Sequence, residues 1–276
     1  MIPQPRASPS LAMMRAVFKS WKTLIGCAFC AWAFLQCAHA LAGPPFITDD
    51  PEPIPHYHWE LYLASQSFHM RDGWSGTAPH FEANYGVVPN VQLHVIAPMA
   101  YSVPAQGTAH YGYGDMELGS KLRFIQEGSW VPQVGTYLML EVPTGSRSAN
   151  LGNGSAQLFV PLWIQKSFGP WTTYGGPGLW IDTSRPAKHW WYFGWELQRR
   201  LNGELVLGGE LLCITPKTHD EVLDVRFNLG AIIDASETHH FLLSAGRGLI
   251  GSNRFQIYLA YIATLGPAGV DPSAVE

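Results

Sequence analysis

The stretch Tyr111-Gly-Tyr-Gly-Asp-Met-Glu-Leu-Gly-Ser-Lys-Leu-Arg-Phe124 is sorted by a period of two. Met116, Leu118, Leu122 and Phe124 fall on one face of an extended chain; Asp115, Glu117, Gly119, Lys121 and Arg123 fall on the other. Alternation of this kind marks a strand with unlike faces. Two settings satisfy it. A strand on a soluble core buries the apolar face and leaves its charges in water. A strand in the wall of a membrane barrel turns the apolar face to lipid and the charges to a wet lumen. The rest of the chain decides between them.

Composition favours the second setting. Of 276 residues, 47% are hydrophobic, 13% aromatic and only 14% charged. An ordinary soluble domain carries about 25% charged residues, so a water-facing surface would be poorly furnished. Four of the bases, Arg6, Arg15, Lys19 and Lys22, lie in an amino-terminal leader that contains no acid, so the remainder is more acidic than the formal net charge of -4. No basic stripe is left to meet phosphates, which argues against a nucleic-acid partner.

The leader itself reads as an export signal. Basic residues up to Lys22 precede the apolar run Thr23 to Leu35, and the small-x-small triplets Ala38-His-Ala40 and Ala40-Leu-Ala42 follow. The expected signal peptide covers residues 1–42 and is cleaved, because the run is shorter than the roughly 20 residues that span a bilayer. Cys27, Cys30 and Cys37 leave with it, and Cys213 remains alone. One cysteine forms neither an internal disulfide nor a thiolate metal cluster.

Next comes Pro44-Pro-Phe-Ile-Thr-Asp-Asp-Pro-Glu-Pro-Ile-Pro55, whose prolines exclude helix and central strand. Residues 43–57 are therefore expected to form a proline-rich periplasmic arm. Asp49, Asp50, Glu52, His56 and His58 do not show a recognisable ligand spacing, and neither metal nor cofactor is expected.

From His58 onward alternating segments recur between turn signals. They run from Trp59 to Ser67, Phe81 to Val88, Val91 to Tyr101, Tyr111 to Phe124, Gln133 to Val142 and Ala156 to Lys166. Six more follow, from Thr172 to Ile181, Trp190 to Arg199, Leu205 to Ile214, Asp224 to Ile233, His240 to Gly248 and Arg254 to Ala263. Asn202-Gly203 between two of them is a hairpin signal. The odd-numbered connections are mostly long and the even-numbered ones mostly brief, an asymmetry that outer-membrane barrels show between their two ends. No apolar run of about 18 residues follows the leader, so only a closed sheet could span a membrane. Trp59, Tyr101, Phe124, Trp130, Trp171, Trp190 and Tyr261 lie near segment ends, where interfacial girdles form. The predicted fold is all-β: a closed antiparallel up-and-down transmembrane β-barrel of about twelve strands over residues 58–263, followed by a polar tail, 264–276.

Four stretches carry a resemblance: Pro44 to Pro53, Tyr113 to Phe124, Glu141-Val-Pro-Thr-Gly145 and Gln165-Lys-Ser-Phe-Gly-Pro-Trp171. They resemble the family named for the meta-pathway of phenol degradation, a family of outer-membrane transport proteins, over nearly all the mature chain. The resemblance implies a bacterial outer-membrane barrel that admits aromatic or other hydrophobic compounds. It brings no functional residues with it.

If the polar faces point inward, the lumen is lined by Glu82, His94, Glu117, Lys121, Arg123, Glu141, Glu196, Glu210, Asp224, Arg226 and Arg254. Both signs are present, so ion pairs could close the interior as readily as line a pore, and twelve strands enclose less space than an open porin. The expected function is a channel or transporter-like protein, with outer-membrane lipid and small hydrophobic or aromatic solutes as partners. Two other readings stand beside it. One is a barrel enzyme acting on lipid, for which Ser244 with His239 or His240 offers the parts without a nucleophile-elbow pattern. The other is a structural barrel that conducts nothing.

Overall fold

The computed structural model describes residues 45–182, 184 and 187–267. The expected signal peptide and most of the expected polar tail lie outside the described residues. Extended runs occur at β1 (Trp59–Met70), β2 (Gly73–Val88), β3 (Val91–Pro104), β4 (His110–Tyr113), β5 (Met116–Ile125), β6 (Gln133–Val142) and β7 (Gln157–Pro161). They continue with β8 (Trp163–Phe168), β9 (Trp171–Asp182), β10 (Trp190–Arg200), β11 (Leu205–Ile214), β12 (Asp224–Asp234), β13 (His239–Ile250) and β14 (Phe255–Leu265). Each pairs antiparallel with its neighbours in sequence, and the ring closes where Trp59 of β1 meets Leu265 of β14. β4 and β5 both pair with β3, while β7 and β8 both lie between β6 and β9. Each pair is one crossing interrupted in the middle, so the fourteen runs make a closed barrel of twelve strands.

The interruptions have local causes. Between β4 and β5 the Asp115 carboxylate turns to the neighbouring loop, accepting hydrogen bonds from the backbone N–H of Gly145 at 2.8 Å and of Asn153 at 2.5 Å. Between β7 and β8, Pro161 has no N–H to give, and Leu162 bonds instead to the Pro177 carbonyl at 2.9 Å.

Alternation sorts the side chains as the wall requires. On β10, Trp191, Phe193, Trp195 and Leu197 point outward and are exposed, while Trp190, Tyr192 and Glu196 point inward and are buried. The stretch quoted first behaves likewise: Leu118 and Phe124 are exposed, and Lys121 is 4% exposed. Two sequence expectations are corrected. β2 begins at Gly73, so most of the stretch between the expected segments Trp59 to Ser67 and Phe81 to Val88 is wall; its pairing with β3 slips between Thr77 and His80, which destroys the alternation locally. Trp190, expected in an interfacial girdle, instead stacks inside on Trp180, ring centroids 5.0 Å apart.

Inside, two apolar clusters tie the walls together. At the end with the short turns, Tyr62, Ala64, Val206, Ile232, Leu242, Ala260 and Ile262 pack across five strands. Further up, Tyr137, Met139, Phe159, Trp163, Trp190, Tyr192 and Leu212 form a second, largely aromatic one. Burying each such side chain is worth about 1.5–3 kcal/mol. The outward face makes the opposite demand. Leu229, at the middle of β12, and Ile233, near its end, both point out and are exposed. Replacing Leu229 with Arg is expected to cost about 2–4 kcal/mol of barrel stability and Ile233→Arg about 0–1 kcal/mol, measured by denaturant unfolding in lipid vesicles.

Candidate functional site

The proline-rich stretch expected to stand in the periplasm as an arm instead runs through the lumen. Its prolines prevent it from joining a sheet; the N–H groups of Ile47, Thr48 and Ile54 find partners on inward-facing side chains of the wall, and those of Asp50 and Glu52 on the arm's own carboxylates. Ile47 N and Thr48 N donate to the two carboxylate oxygens of Glu210, at 3.0 and 2.8 Å. Ile54 N donates to Gln92 Oε1 at 2.9 Å. Thr48 Oγ1 lies 2.7 Å from Tyr192 Oη, and Ser244 Oγ donates to the Pro45 carbonyl at 2.5 Å. Near β1 the arm runs beside β2, with Tyr57 N bonded to the Gly86 carbonyl at 2.8 Å. A side chain at Gly86 would collide with the carbonyl oxygens of Pro55 and Ile54. Glycine there allows the close approach.

Charge fastens the middle of the arm. Lys121 Nζ donates to Asp49 Oδ1 at 3.0 Å and to Asp50 Oδ1 at 3.3 Å, with its own side chain 6% exposed. Arg123 lies 3.9 Å from Glu52, which also accepts from Gln165 Nε2 at 3.2 Å. Burial pushes the Asp49 carboxyl up from its ordinary value; Lys121 pulls it back and the neighbouring Asp50 adds to the rise. Burial likewise raises Glu52, helped by Asp50 and opposed by Arg123. A carboxyl whose pKa is higher docked than free binds its proton more tightly in the docked arm. Its contribution to docking is therefore full below the ordinary carboxylate value and is lost as pH rises through the raised one.

The other sequence-predicted residues are distributed along the wall. Glu82 accepts from Asn84 Nδ2 at 2.7 Å and lies 3.5 Å from His94, whose Nδ1 is 2.6 Å from Asn84 Oδ1. Glu117 stands directly across from Glu141, which is held by Asn153 Nδ2. Glu196 is fully buried, and its two carboxylate oxygens have no hydrogen-bond partner among the described residues; Glu210, on the next strand, accepts from Asn228 besides the arm. Asp224 and Arg226 pair with each other at 2.6 Å along β12, and Arg226 also donates to Gln256 at 3.2 Å. Arg254 is exposed in the connection before β14, outside the strands, with its N–H on the His69 carbonyl. The pairings thus run along the wall or to the arm. Among the described residues no group of three or more His, Cys, Asp or Glu is placed to hold a metal. Ser244 is occupied by Pro45, while His240 bonds to Asp234 at 2.9 Å and His239 to Tyr261 at 2.7 Å, so the three do not form a triad.

No family model and no curated protein matches the chain in sequence. Solved structures do match in fold. An outer membrane channel from Pseudomonas putida F1 superposes with a TM-score of 0.62 at 14% identity, over 78% of this chain and 98% of that one. The KdgM porin gives 0.53 at 8% identity, over 74% and 98%; the NanC porin gives 0.52 at 5% identity, over 76% and 99%. The architecture is that of outer-membrane β-barrels.

Removing the cation on which the arm is fastened would leave Asp49 and Asp50 buried side by side. Lys121→Met is expected to weaken docking by about 3–5 kcal/mol. Amide exchange at Ile47, Thr48 and Ile54 should then speed up by at least about a hundredfold, read by mass spectrometry on the refolded barrel.

Proposed function

We propose that the chain is a channel of the transporter type, resident in the outer membrane, that passes small aromatic or other hydrophobic compounds. The observation that carries this reading is a closed wall, apolar outside and polar inside, whose lumen is crossed by the chain's own arm. An open aqueous pore needs no such element, and a barrel built only as a brace has no need of a separately fastened segment inside it.

The inner aromatic cluster supports the substrate class. Phe159, Trp180 and Trp190 stack in sequence, with centroids 4.9 and 5.0 Å apart, and Ile47 of the arm packs against the same cluster. Flat apolar faces of this kind accommodate aromatic solutes by offset stacking and burial. The resemblance to the phenol meta-pathway family agrees with this class. Oligogalacturonate, the ligand named with the KdgM porin, is a poor model for this lumen, whose inward acids Glu82, Glu117, Glu141, Glu196 and Glu210 would repel a polyanion. Catalysis is not part of the reading, since the Ser244 hydroxyl is committed to the Pro45 carbonyl.

Liposome swelling with small aromatic solutes tests it. Vesicles carrying the folded barrel, verified by heat-modifiable migration in a detergent gel, should swell faster than empty ones. Lys121→Met, which loosens the arm, should raise the rate further. Equal rates for loaded and empty vesicles, with wild type and variant alike, would establish the non-conducting structural barrel instead.

A further inference from the structure

The lumen on the loop side of the arm carries a charge imbalance that the fastening of the arm does not absorb. Glu117 and Glu141 are direct partners across adjacent antiparallel strands, a like-charge pairing that destabilises a sheet. The Glu117 carboxylate makes neither a hydrogen bond nor an ion pair with any described residue, and the residue is half-buried rather than sealed, so water reaches it. Glu82, on β2, faces the same space with its side chain 14% exposed.

The bases nearby offset this belt only in part, Lys121 acting on Glu82 and Lys217 on Glu141 but neither on Glu117. Lys121 is held by Asp49 and Asp50, and Lys217 is exposed in the connection after β11, over the Trp190 ring at 4.3 Å. A fourth acid, Asp115, spends its oxygens on loop amides. On the arm side of the belt, two polar groups have no partner among the described residues: Tyr137 Oη, on a residue 9% exposed, and His94 Nε2, on a side chain 6% exposed. Tyr137 lies in the field of both Glu82 and Glu117, and its ring meets His94 edge-on at 5.1 Å.

We infer that Glu82, Glu117 and Glu141 form a selecting belt that admits cations and turns back anions. The inference rests on the channel reading and adds the sign of charge that the passage prefers. Acids of one sign in a narrow space with low-dielectric walls concentrate counter-ions and exclude co-ions. An unneutralised unit charge about 6 Å from a passing ion in a wet lumen changes its population by about threefold.

The full barrel in a planar bilayer under a KCl gradient gives the answer through its reversal potential. Wild type should reverse toward the potassium potential. Glu117→Gln, which removes a like-charge contact and no hydrogen bond, should lower the potassium-to-chloride permeability ratio about tenfold, because the lost charge acts with opposite sign on the two ions. The triple Gln variant at Glu82, Glu117 and Glu141 should bring it near unity, and Glu237→Gln, exposed in the β12–β13 connection, should leave it unchanged. Conductance without cation preference, or a ratio untouched by Glu117→Gln, overturns the belt while sparing the channel. A folded barrel that carries no current overturns the belt; if it also fails to speed swelling with aromatic solutes, the channel reading falls with it. If the triple variant does not fold, Glu117→Gln alone decides.

Discussion

Closure of the sheet is the constraint on which the rest depends. In hydrocarbon every backbone N–H and C=O must be paired within the protein, and a sheet meets that demand only when its first and last strands bond to each other. Here the ladder from Trp59 opposite Leu265 to His69 opposite Phe255 makes that seam. Once the ring is closed, every strand has one face outside and one inside. The outward set of Leu, Phe and Trp and the inward set of acids, bases and aromatic rings are then required by geometry.

Closure creates a second problem, which the arm answers. The enclosed space holds carboxylates and amides too deep for full hydration, and buried polar groups without partners are costly. The segment from Pro45 to Pro55 supplies the matching groups: amide N–H for Glu210, carboxylates for Lys121 and Arg123, a carbonyl for Ser244. A proline-rich chain suits this task, because it cannot add a strand to the wall and remains free to follow the lumen.

Much of the barrel was legible from period two alone. The segment from Trp190 to Arg199 separates its faces as the structure does, and the Gln133 to Val142 limits coincide with β6. The start of β2 was hidden because Ser75, Gly76 and Thr77 are small and Pro79 sits at a slip in pairing. The fourth strand looked continuous because Asp115 keeps the alternation although its side chain leaves for the loop. Trp190 was misplaced by its position near a strand end, though it shares parity with Glu196, which marks it as inward. The place of the arm was unreadable from its own composition: its partners lie on strands far along the chain, Glu210 among them, 162 residues beyond Thr48. Arg254 fell at the margin of a strand that begins one residue later.

That sequence separation bears on assembly. Glu210 and Ser244 belong to β11 and β13, on either side of β12, and Lys121 to the distant β5, and their groups converge on the arm only when the strands between have paired. The arm leaves the ribosome before all of them, yet it has no complete docking surface until the last hairpins are in place. Full docking of the arm therefore follows the pairing of the last strands. Once the seam has formed there is no way in through the wall, so an arm that has not yet settled reaches these partners only through an end of the barrel.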